Sequence, residues 1–380
     1  MRCWRSGRDS NPRYAFGVYS LSRRAPSTTR PPLRIALEGE PLAGDAGFRK
    51  GLGCGTLILM KRIALLPLAA LLMGAGEPAA PAKPALSPSE IVAQAPAADW
   101  AAIAPSDLMV MDLAPLGAKP RRVVIQLMPS PFSAGWVDNI RKLVAARWYD
   151  GVSVNRVQDN YVVQWGDASE KKPLPEGLDS ISEQGYETLL SAKSEAELVS
   201  NLARHRRPGA LSPPPLTQEL QFNIGTFQSG FPIVVGEGPG GKGFAWPVHC
   251  YGMVGVARNL SPDTGTGAEL YTVIGHAPRQ LDRNIALVGR VIEGIEHLSS
   301  LPRGTGTLGF YEKAEERVPI LSVRMGSEVT GLPAYQYLST ESASFAAYAD
   351  ARANRRDAFF IRPAGGADIC NIPVPVRRVP

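Results

Sequence analysis

Histidine is scarce in this chain, limited to His205, His249, His276 and His297, and cysteine to Cys3, Cys54, Cys250 and Cys370. The histidines do not fall at ligand spacings, and neither CxxC nor HExxH occurs, so the common zinc sites are excluded. His249 and Cys250 are adjacent, but neighbours in a strand point to opposite faces and could not jointly hold a metal from there. GxSxG is also missing, which removes the usual serine-nucleophile elbow. No apolar run reaches the roughly 18 residues of a membrane-spanning helix. The Gly-rich run GEGPGGKG at 236–243 comes near both GxGxxG and a Walker A loop. Both need a helix directly after, whose N-terminus holds the phosphate. Here Phe244, Trp246 and Pro247 follow, and Gly243 replaces the Ser or Thr that would ligate magnesium, so the run reads as a surface loop. The expectation is no cofactor and no metal.

What is present supports a packed core: 44% of the 380 residues are hydrophobic and 20% charged. The net charge of +6 suggests a polyanionic partner, but its distribution argues otherwise. Residues 1–59 hold ten basic side chains (nine Arg and Lys50) against Asp9, Glu38, Glu40 and Asp45, which leaves the other 321 residues neutral. A nucleic-acid partner is therefore not expected.

Segment 1–59 is Arg- and Pro-rich, without helical or strand periodicity, and reads as an upstream extension that is not part of the working protein. Met60 opens a secretory signal pattern over residues 60–76. Lys61 and Arg62 form the charged start, Ile63 to Met73 the apolar stretch, and small residues follow around Gly74 to Ala82. Cleavage near Gly76 would leave a chain of net charge −2 in the periplasm or outside the cell. Residues 77–102 read as a Pro/Ala-rich linker. In an oxidising compartment Cys250 and Cys370 could form one disulfide, closing a loop of about 120 residues; two buried free thiols are the alternative.

The body is read as mostly strands. Leu108–Leu113 and Arg122–Met128 form a hairpin around Gly117 and Pro120, and Trp136, Ile140, Leu143, Val144 and Trp148 mark a helix between Ser133 and Trp148. Further strand-like runs are Tyr161–Gln164, Gly252–Val256, Leu270–Gly275, Ala286–Val291 and Val318–Val323, with a second short helix at Ile292–Ser300. Residues 168–250 form a long, turn-rich insertion with PPP at 213–215 and a short helix near 195–204, capped by Ser194 and Glu197. Two helical turns fit Ser342–Arg355 in a C-terminal extension, 331–380. The reading is a mainly β fold, a closed antiparallel barrel with two main helices.

The stretch VNRVQDNYVVQWGD, Val154 to Asp167, resembles the cyclophilin signature F-H-R-V-x-x-x-F-M-x-Q-G-G-D. Arg156, Val157, Gln164, Gly166 and Asp167 match identically, Tyr161 and Val162 in kind. WVDNIRKLVAARWYDG precedes it, and YGMVGVAR (251–258), GTGAELYTV (265–273) and QLDRNIALVGRVIEGIEHL (280–298) follow in the family's order. The resemblance implies a cyclophilin-like domain over 103–330, an eight-stranded barrel capped by two helices, and peptidyl-prolyl cis-trans isomerase activity on proline-containing peptides or unfolded proteins. It implies Arg156 as the catalytic residue and a substrate site of Tyr161, Val162, Gln164, Ala257, Arg258, Glu269, Tyr271 and Leu281. Departures are Asn155, Trp165, Gln280 and Ile285, where the family often has His, Gly, Trp and His, and Glu269, where Gln is usual. A catalytically weak peptide-binding chaperone or scaffold on the same barrel is the alternative.

Overall fold

In the computed structural model of the chain, residues 85–191, 196, 224–237 and 242–379 are described, all within one unit. The upstream extension, the signal pattern, PPP at 213–215, the helix expected near 195–204 apart from Ala196, and residues 238–241 of the Gly-rich run lie outside the described residues.

Strands β1 to β15 are, in chain order, Trp100–Ile103, Leu108–Leu116, Lys119–Leu127, Ser153–Val157, Val162–Gly166, Thr188–Leu189, Ile224–Gln228, Phe231–Glu237, Gly243–Pro247, Met253–Val256, Leu270–Val273, Leu287–Glu293, Val318–Met325, Tyr335–Leu338 and Val376–Arg378. The four α-helices among the described residues are α1 (Pro88–Gln94), α2 (Ala134–Ala145), α3 (Glu296–Ser299) and α4 (Ala343–Ala353).

Eight strands close a barrel in the order β10-β11-β5-β4-β13-β2-β3-β12, with β12 pairing back onto β10. Every pairing is antiparallel. Closure leaves no free edge, which suits short strands rich in Val, Ile and Leu. Helix α2 buries Trp136, Val137, Ile140, Leu143 and Val144 in the same core as Met111, Ile125, Val154, Val163 and Val254.

The second helix is shorter than its periodicity suggests. Ile292 and Glu293 remain in β12, and only Glu296–Ser299 is helical. Gly294, at φ +84, turns the chain between them, and a Cβ there would run into the carbonyl oxygen of Arg122.

The linker reading of 77–102 is corrected at its C-terminal end. Ser87 accepts from the backbone N–H of Glu90, whose carboxylate accepts from the N–H of Ser87, and this capping box starts α1. Trp100–Ile103 then pairs with Leu338–Tyr335, and the C-terminal Val376–Arg378 adds a third strand. The described ends of the chain thus form one sheet, backed by a small core of Trp100, Phe227, Leu338, Phe345 and Tyr348.

The insertion has a sheet of its own, in the order β6-β9-β8-β7. Buried Arg290 on β12 ties these layers together. Its Nε and Nη2 donate to Oε1 of Gln126 at 3.0 and 2.8 Å, and it lies 4.9 Å from the Phe231 ring of the insertion and 5.8 Å from Tyr337 of the terminal sheet.

Candidate active site

Register builds the site. Arg156 on β4 stands opposite Gln164 on β5, Gln164 opposite Tyr271 on β11, and Tyr271 opposite Gly255 on β10. Directly opposed residues in antiparallel strands project to the same face, so these four make one row across the barrel. A Cβ at Gly255 would overlap Cζ and the hydroxyl of Tyr271, so the bare glycine makes room for the ring.

Along this row runs a hydrogen-bonded chain. Arg156 donates through Nη1 to Oε1 of Gln164 at 3.1 Å, and Gln164 donates through Nε2 to Oε2 of Glu269 at 2.9 Å. Arg156 Nε donates to the carbonyl oxygen of Leu308 at 2.8 Å, and Nη2 donates to Oε1 of Gln158. The guanidinium carbon lies 5.7 Å from the Tyr161 ring centroid and 5.3 Å from that of Phe310. The residue is 1% exposed. Burial pulls its pKa down to about 10, against an opposing influence of Tyr161, Glu269 and Tyr271, so the guanidinium stays charged at neutral pH.

Beside this chain lies an apolar cluster of Val162, Ala257, Tyr271, Val273 and Ile285, with Tyr161 and Leu281 packed against it. Its members come from β5, the exit of β10, β11, and the 3-10 turn Arg279–Leu281 with the chain after it. Burial raises the pKa of the hydroxyls of Tyr161 and Tyr271, which keeps both protonated. Gln280 is exposed and outside the cluster.

The structure therefore brings together Arg156, Gln164, Glu269 and Tyr271, and sets Tyr161, Val162, Ala257 and Leu281 beside them. Arg258 is outside the hydrogen-bonded chain: its Nε donates to the carbonyl oxygen of Asn284 at 3.0 Å and its Nη1 to that of Asn259 at 2.7 Å, and its charge acts on Tyr271 and Tyr186. Asp167, identical to the signature, works as a loop staple and accepts from the backbone N–H groups of Ser169, Lys171 and Lys172.

Sequence reasoning missed several participants. Gln158, Leu308 and Phe310 surround the guanidinium, and His249 and Asp282 lie behind Tyr271. Tyr186 of the insertion stacks on Trp136 with centroids 5.4 Å apart, and with Glu183, Glu187, Asp282, Arg283 and Asn284 it lines a cavity of about 250 Å³ next to the apolar cluster. Gln158 lies inside the block Val154–Asp167, two residues after Arg156; no local motif marks the others, because each meets the site through long-range packing. Among the described residues no group of three His, Cys, Asp or Glu could hold a metal ion, and no helix is long and apolar enough to cross a membrane.

Residues 121–325 match the family described as cyclophilin type peptidyl-prolyl cis-trans isomerase/CLD. No sequence among curated proteins matches the chain. Among solved structures it is similar to the cyclophilin AquaCyp293 from Hirschia baltica, at 22% identity and a TM-score of 0.54, over 73% of this chain and 92% of that one. A cyclophilin-type isomerase from Cryptosporidium parvum, solved in the presence of the dipeptide Ala-Pro, aligns at 12% identity and a TM-score of 0.30, over 54% of this chain and 92% of that one.

Proposed function

The chain belongs to the cyclophilin-type peptidyl-prolyl cis-trans isomerases, and from that premise we propose that its barrel rotates X-Pro bonds in exported proteins by electrostatic stabilisation of the twisted amide at Arg156. Partial double-bond character sets a barrier of about 18–20 kcal/mol, and uncatalysed exchange takes tens to hundreds of seconds. Reaching milliseconds needs about five powers of ten, or about 7 kcal/mol. No covalent bond breaks, so neither nucleophile nor metal is required.

In the twisted state the prolyl nitrogen regains a lone pair that accepts a hydrogen bond. A guanidinium fixed beside that nitrogen stabilises the twisted state more than either planar one. The observation that carries this reading is the row Arg156–Gln164–Tyr271 beside the apolar cluster. The proline ring would lie against Tyr161, Val162, Tyr271 and Leu281. Gln164 would hold a substrate carbonyl, and Ala257 and Arg258 would contact the extended peptide through their backbone. The signal pattern at 60–76 supports export, and a Cys250–Cys370 disulfide suits an oxidising compartment such as the periplasm.

One observation favours a second reading, a catalytically weak peptide-binding chaperone or scaffold. At 1% exposure Arg156 can reach a prolyl nitrogen only if covering side chains part. A protease-free isomerisation assay on Xaa-Pro peptides, comparing the chain from residue 77 with its Arg156→Ala variant, separates the readings. Electrostatic catalysis predicts a loss of about a hundredfold in kcat/KM, the size of removing one preorganised donor. Equal rates would take Arg156 out of the mechanism, and peptide binding without turnover in either protein would establish the scaffold.

A further inference from the structure

His249, near the end of the insertion, is fully buried against the wall of the proposed proline pocket. Its Nε2 lies 2.7 Å from the hydroxyl of Tyr271, and the two rings are parallel within 8° at 6.2 Å between centroids. Its Nδ1 lies 2.8 Å from Oδ1 of Asp282, which also accepts from the backbone N–H of His249 at 2.9 Å. The other oxygen of Asp282 accepts from Nε of Arg279 at 2.5 Å.

For a neutral imidazole, donor and acceptor rules fix the direction of this chain. A carboxylate only accepts, so Nδ1 carries the ring proton and donates to Asp282. In the neutral imidazole Nε2 is then the acceptor, and the Tyr271 hydroxyl donates to it. The hydroxyl proton is thus committed away from the pocket, and the tyrosine presents its ring to the apolar cluster much as a phenylalanine would. Without His249 the hydroxyl is a buried donor lacking this acceptor, a costly state that the ring relieves by turning.

We propose that His249, oriented by Asp282, is a positioning residue that locks the Tyr271 ring as a wall of the proline pocket. The inference rests on the isomerase reading and deepens it, since it names a residue that sets substrate affinity through Tyr271. Isomerisation transfers no proton, so His249 acts on binding and not as an acid or base.

The test is a double-mutant cycle of His249→Leu and Tyr271→Phe, with kcat and KM measured separately for a Xaa-Pro peptide. His249→Leu should raise KM about five- to tenfold with kcat changed less than about twofold, the scale of one orphaned hydrogen-bonding group. The double variant, with both polar partners gone, should recover most of that loss. An unchanged KM in His249→Leu, or a double variant at least as impaired as His249→Leu, overturns the inference. If His249→Leu does not fold, long-range proton–nitrogen spectra of the wild-type ring decide. A protonated Nδ1 with a bare Nε2 whose shift moves in Tyr271→Phe supports the lock, and a protonated Nε2 overturns it. A wild type that binds peptide without turnover fails the isomerase reading alone, and the cycle is then read on Kd. A wild type that neither turns over nor binds removes the site and the inference together.

Discussion

The guanidinium carbon of Arg156 lies 5.3 Å from the centroid of the Phe310 ring, and the two residues are joined by an isolated antiparallel bridge between their backbones. The bridge and the Leu308 carbonyl fix the segment 308–310 over the arginine. A peptide that approaches the guanidinium from the Phe310 side would displace the ring and lose the cation–π contact, worth about 0.5–2 kcal/mol.

Phe310→Ala should therefore tighten the binding of a proline-containing peptide by roughly three- to thirtyfold, the range of that contact energy. Fluorescence or calorimetric titration reads this directly. Weaker binding would instead make Phe310 part of the peptide contact surface.

Glu269 is the far end of the Arg156–Gln164 chain and fixes which way the Gln164 amide faces. Glu269→Ala leaves the amide N–H without this acceptor and lets the side chain turn away from Arg156. We expect a loss of about tenfold in kcat/KM, the size of one hydrogen bond to a charged group. Glu269→Gln can still accept through its amide oxygen and should lose less than about threefold by the same accounting.

The pH dependence follows from the buried guanidinium, whose pKa burial lowers to about 10. The proposed mechanism uses the charged form, so kcat/KM should be flat from about pH 6 to 9 and fall as the pH rises through about 10. The sign for stability is opposite. Between the folded value and the higher value of an unfolded-state arginine the unfolded state binds the extra proton, so this group makes the fold more stable as pH rises. Circular dichroism across the same range should show the native signal persisting where the rate has begun to drop.

The Cys250–Cys370 disulfide spans 120 residues and ties the C-terminal segment to the residue next to His249. Loop closure of that length is worth about 5 kcal/mol in the chain-entropy account. Replacing both cysteines by serine should lower the urea midpoint accordingly, and adding reductant should shift the wild type but not the double-serine variant. A wild type insensitive to reductant would contradict this.

The barrel was legible because seven of its eight strands carry a short apolar run that announces itself, while Ser153–Val157 was recognised only within the block that contains Arg156. Leu108–Leu113 and Val318–Val323 fall within strands of the barrel, and Arg122–Met128 overruns its strand by one residue. The terminal sheet and the insertion sheet were not legible. Their strands are short and mixed in composition, and Trp100–Ile103 becomes a strand only because Tyr335–Leu338, far along the chain, lies beside it. Gly294 shows the same limit at a boundary. Helical spacing runs through Ile292, but packing against Arg122 requires a turn there.

By itself the sequence determined the alternation of apolar strands and the block from Val154 to Asp167 that places Arg156 and Gln164 eight residues apart. Those features are local, since a strand pattern and a hairpin register are written within a few residues of each other. Only the tertiary structure decided that Glu269 completes the Gln164 chain, that Leu308 and Phe310 cover the guanidinium, and that His249 and Asp282 stand behind Tyr271. Those contacts join segments about 20 to 150 residues apart, and no local spacing encodes them. Closure of the barrel and burial of polar groups, each of which must find a partner, bring them together.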